Sequence, residues 1–184
     1  MVANASSVLV TSIILVILTG IFNTIVLTNV GNLFPVIGNN SYLDSPYWMG
    51  IQRPSTTLLM VFQLIALIGF GVWLADMTMS PPTEGVLQSS SWRLAAVCMF
   101  LIPFALWPFA TYHALEHPKS LAATLVSCSC LWIAAIGVAL MIVGTFENTS
   151  THPRSLLGVL FLGMVVILVD AMGWCALAIR KTTT

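Results

Sequence analysis

Apolar residues run almost unbroken through five stretches of this chain, roughly 8–28, 55–75, 94–112, 121–144 and 156–179, with short polar segments between them. Each stretch is near the ~20 residues that about 30 Å of hydrocarbon requires. In lipid, only helices and closed barrels satisfy their own backbone groups. Barrel strands alternate apolar and polar positions, and these runs do not. The pattern therefore predicts an all-α polytopic transmembrane helical bundle, five spans in a single domain, 1–184.

Composition agrees with the pattern. The chain is 58% hydrophobic and only 7% charged, against about 25% charged in a soluble domain. A surface so poor in charge cannot be covered by water. Six basic and six acidic residues leave no net charge, which argues against nucleic acid as a partner. The expected partners are the lipid bilayer and other membrane protein subunits.

Orientation follows from the basic residues. Arg53, Lys119, Arg180 and Lys181 fall on one side of the predicted weave, Arg93 and Arg154 on the other. That bias predicts the C-terminus inside and the N-terminus outside. Glycosylation sequons begin at Asn4, Asn39 and Asn148, and the first and last lie on the predicted outer side. No basic cluster precedes the first apolar run, so that run reads as a retained helix rather than a cleaved signal.

Two loops differ in character. The first, 29–54, combines turn formers (Gly31, Pro35, Gly38, Asn39, Asn40, Pro46, Gly50) with Phe34, Tyr42, Tyr47 and Trp48. Aromatics of this kind suit a segment lying at the headgroup level. The second, 77–91, carries Pro81 and Pro82 and reads as a plain connector.

Candidate chemistry lies inside the spans. Asp170 sits near the middle of the last run, and a charge at bilayer depth costs at least about 2.5–3.5 kcal/mol. Such a carboxylate is expected to face protein or water. Counting 1.5 Å per residue from the predicted inner surface places Asn23, Gln63, Trp107, Ser127, Ser129 and Asp170 at one depth, with each span contributing. These residues predict a buried polar layer that fixes helix register through interhelical hydrogen bonds. Gly163 and Gly173 flank Asp170 on the same predicted face, where small residues let a neighbouring helix approach.

Span three holds Pro103 and Pro108, each of which removes a backbone donor and bends the helix. Just beyond it, His113 and His117 share a face at i, i+4 with Glu116 adjacent, a spacing able to hold a metal ion or one haem axial ligand. The four cysteines all fall within spans, and Cys128 and Cys130 point to nearly opposite faces, so they read as packing residues. There is no Gly-rich phosphate loop, nucleophile elbow or carboxylate pair, which disfavours an enzyme. No cofactor is assigned by these residues beyond the metal or haem that the histidines could ligate.

Three functions are compatible with this sequence. A non-catalytic subunit of a larger membrane complex suits the short polar loops and the six Trp and nine Phe. A small ion, proton or solute transporter or channel would use Asp170 and Gln63. A metal- or haem-binding membrane enzyme would use His113 and His117.

Overall fold

The computed structural model describes residues 5–33, 48–52, 54–148 and 153–183, and within the first helix the side chains of residues 7–22. Five helices make up the bundle: α1, Ala5–Leu33; α2, Ser55–Met79; α3, Ser90–Glu116; α4, Leu121–Glu147; and α5, Pro153–Thr183. Helices α2 to α5 are long and apolar enough to cross a membrane, and α1 is apolar over Ser7–Phe22. The predicted all-α bundle is the observed architecture, and the described residues contain no strand.

The helices overrun the apolar windows, because capping sets their ends and hydropathy does not. Helix α3 starts at Ser90, where the Ser89 hydroxyl accepts from the Ser91 amide at 3.3 Å. Helix α4 starts where the Ser120 hydroxyl accepts from the Ala123 amide at 3.3 Å. A side-chain oxygen at that position satisfies one of the donors that a helix start leaves open. Helix α3 continues past Tyr112 to Glu116 and stops before Pro118, whose ring disfavours helical backbone at His117. Both Pro103 and Pro108 lie inside it without ending it. Helix α1 continues to Leu33, so positions 29–33 are helical rather than loop. Trp48 is buried within the protein. Phe34, Tyr42, Tyr47 and the sequons at Asn4 and Asn39 lie outside the described residues, and Asn148 is buried.

Packing divides the five helices into a group of three and a pair. Helix α3 lies against α1 and α4, α2 lies against α5, and α4 joins the halves through α5. Helices α1 and α2 touch little. Glycine permits the tight seams. A Cβ on Gly69 would fall 2.6 Å from the carbonyl oxygen of Gly158, and the reverse holds at the same distance, so α2 and α5 meet backbone to backbone. A Cβ on Gly137 would fall 2.6 Å from the Phe100 amide nitrogen and 2.8 Å from the Ala96 carbonyl oxygen of α3. Small residues at such crossings are the usual device of helices packing in lipid.

One end of the bundle is closed by polar clasps. Arg154 donates to Asp76 at 2.8 Å, tying the start of α5 to the end of α2. Trp73 Nε1 donates to the Thr145 hydroxyl at 2.9 Å, tying α2 to α4. The segment between α2 and α3, expected to be a plain connector, is also held. Its short 3-10 turn, Val86–Gln88, buries Leu87 against Gly144 of α4. Arg93 donates to the carbonyls of Leu87 at 2.6 Å and Gln88 at 2.9 Å, while Glu147 accepts from the Val86 amide at 2.7 Å.

Candidate functional site: a cavity beside Asp170

Asp170 lies in the stretch Met164–Trp174 of α5, which is wound as a π-helix. Such wide turns are rare and recur at functional sites. The residue is 5% exposed, and its Oδ2 has no hydrogen-bond partner among the described residues. Gln63 of α2 donates a side-chain hydrogen bond to the carboxylate. A buried polar atom left without a partner costs about 1–3 kcal/mol, so among the described residues this oxygen is uncompensated.

Asp170 and Gln63 stand in the wall of a cavity of about 590 Å³. Ligand pockets typically measure about 300–1,000 Å³. The rest of the lining is mainly apolar: Phe70 from α2, Phe100, Phe104 and Trp107 from α3, Leu162 and Val166 from α5. The aromatic rings brace one another, Phe70 edge-on to Phe100 at 5.4 Å and Trp107 edge-on to Trp174 at 5.3 Å. Gly20 of α1 and Met60, Leu64 and Leu67 of α2 also line the cavity and are exposed on the outside of the bundle. The cavity therefore reaches the flank between α1 and α2, which touch little.

The structure brings together only part of the expected polar layer. Gln63 and Asp170 meet, and Trp107 lines the same cavity. Ser127 is buried but shares a 2.8 Å hydrogen bond with Thr111 of α3, forming a second, separate pair. Ser129 faces outward and donates to the Leu125 carbonyl of its own helix at 2.8 Å, because residues two apart on a helix diverge. The Asn23 side chain lies outside the described residues. Thr111 was not singled out from the sequence, although it is the polar residue one turn beyond Trp107. Gly163 is buried against Ile142 of α4, as a small residue at a helix contact should be. Gly173 is not at such a contact, since the atom nearest to its Cβ position is the Leu168 carbonyl oxygen of its own π-wound helix, at 3.3 Å. The wider winding turns that residue away from the neighbouring helix.

Further contacts tie α4 to α5. Thr124 pairs with Thr182 at 2.9 Å, and Cys128 shares a hydrogen bond with Cys175, so the start of α4 lies beside the end of α5. Cys128 is buried and Cys130 is half-buried on another face; all four cysteines are free thiols.

His113, Glu116 and His117 lie elsewhere, exposed at the end of α3, with one potential ligand atom from each within 4.8 Å of the others. None of the three lines the cavity. An exposed turn offers no apolar slot for a macrocycle, so the arrangement suits a hydrated metal ion better than a haem.

Comparison of the chain with family models, with curated proteins and with solved structures returned no match.

Proposed function

We propose that this membrane protein binds a lipophilic molecule inside its bundle, with an apolar body in the cavity and a single hydrogen-bond-donating head against Asp170 and Gln63. One observation carries the reading: a buried carboxylate that lacks a full set of partners among the described residues stands in the wall of a large apolar cavity that reaches the flank of the bundle. A hydroxyl or amine head would supply the missing donor. The aromatic and aliphatic walls would bury the remainder, at about 25 cal/mol per Å² of apolar surface. Entry between α1 and α2 would admit the molecule from the bilayer without crossing the headgroups. The same arrangement serves a carrier or a receptor for such a molecule, and solute transport through Asp170 is the form of this reading closest to a transporter.

Membership of a larger assembly is a second reading, and the same flank supports it. Gly71 of α2 is exposed with open space where a Cβ would stand, and the groove between α1 and α2 could accept a partner's helix in place of a lipid. Native mass spectrometry from mild detergent separates the two. Binding predicts about one lipophilic molecule retained per chain, with retention lost in Asp170→Leu and in Gly20→Trp. A stoichiometric partner protein and no retained lipophile would favour the assembly. Wild-type chains carrying neither, or variants retaining the molecule as well as wild type, would overturn the binding reading.

A further inference from the structure

We propose that His113, Glu116 and His117 form a site for a divalent transition-metal ion at the end of α3, independent of the cavity. The three side chains occupy i, i+3 and i+4 of the last helical turn and its cap, which places them on one face. Their ligand atoms already lie within 4.8 Å of one another, and the two imidazole centroids are 4.5 Å apart. Zinc held at about 2.0–2.2 Å by nitrogen and carboxylate oxygen sets its donors roughly 3.3 Å apart. All three residues are exposed, so their side chains have room to rotate toward a shared ion.

The surroundings favour a metal over three solvated side chains. His117 Nδ1 lies 3.1 Å from the His113 carbonyl oxygen. A carbonyl only accepts, so this bond puts the proton on Nδ1 and leaves the Nε2 lone pair to ligate. Ligating histidines characteristically donate their other ring nitrogen in this way. The Tyr112 hydroxyl donates to the Glu116 carboxylate. The helix C-terminus adds carbonyl dipoles whose negative ends attract a cation. Two imidazoles and one carboxylate leave a coordination position for water or for a donor from another molecule, and this N,N,O set suits zinc, copper(II) or nickel(II) rather than calcium or magnesium.

The test uses the full chain in detergent, stripped of metal and dialysed against Zn²⁺, with bound metal counted by elemental analysis. One ion per chain is expected, with affinity falling about tenfold or more in His113→Ala and in His117→Ala. Because the three residues are exposed, helix content and melting temperature without metal should match wild type. His152→Ala, which removes the one remaining histidine of the sequence, serves as the control and should bind normally. Loading with Cu²⁺ should show coupling to imidazole nitrogen in the electron paramagnetic resonance spectrum, and this coupling should disappear in the double variant His113→Ala/His117→Ala. Unchanged Zn²⁺ binding in the double variant, or no stoichiometric binding to wild type, would overturn the proposal.

Discussion

Asp76 and Asp170 are the same residue type at the same burial, each 5% exposed on its own apolar helix. Their surroundings separate them. Asp76 stands near the end of α2 and takes the Arg154 guanidinium at 2.8 Å, with that arginine's side chain 66% exposed to the outside. Asp170 stands inside α5, is met by a neutral amide, keeps one oxygen without a partner among the described residues and lines a cavity. Burial alone thus does not assign a role to a carboxylate. The paired one closes the bundle, and the incompletely paired one leaves an unmet acceptor that a ligand can meet.

Substitutions can test that contrast. The largest effect is expected at the tight seam: Gly137→Leu should destabilise the bundle by about 3 kcal/mol or more, the upper end of overpacking costs, because the obstructing atoms are backbone. Gly20→Leu, in the open cavity wall, should leave denaturation in mild detergent nearly unchanged. Equal losses at the two glycines would remove the distinction between closed and open regions. Next come the two aspartates. Without ligand, Asp170→Leu should raise stability by about 1–3 kcal/mol as the unmet oxygen is removed, whereas Asp76→Leu should lower the melting temperature by stripping Arg154 of its partner. Shifts of the same sign would contradict the comparison.

Smaller effects are expected within the hydrogen-bonded pairs. Thr145→Val leaves the buried Trp73 indole without an acceptor and should lower stability by about 1–2 kcal/mol in chemical denaturation. Ser127→Ala breaks the bond to Thr111 and should lower it by about 0.6 kcal/mol, the average for interhelical hydrogen bonds in membranes. Ser129→Ala should change nothing measurable, since that hydroxyl serves only its own helix.

Much of this was legible in the sequence, and the losses have definite causes. Continuous apolar runs predicted the helices and their order. Asp170 and Gln63 were identified because polar groups in hydrocarbon must find each other. Ser129 was misplaced because depth says nothing about rotation around the helix axis, which sends Ser127 inward and Ser129 outward. Gly173 was assigned to a helix contact on α-helical periodicity, which the π-wound stretch does not keep. The Arg93 and Glu147 contacts that fix the 77–91 segment were invisible, since they join residues whose pairing depends on tertiary approach. The cavity was equally hidden: its walls come from α1, α2, α3 and α5 together, a property of packing that no single span carries.

The most direct test of the central claim is the reaction of the native chain, in bilayers, with a lipophilic carbodiimide, followed by mass mapping of the modified peptides. If Asp170 stands in a cavity open to the flank of the bundle, its peptide should carry the adduct while the Asp76 peptide, closed by Arg154, remains clean. Labelling of Asp76 at or above the level of Asp170 would contradict the account.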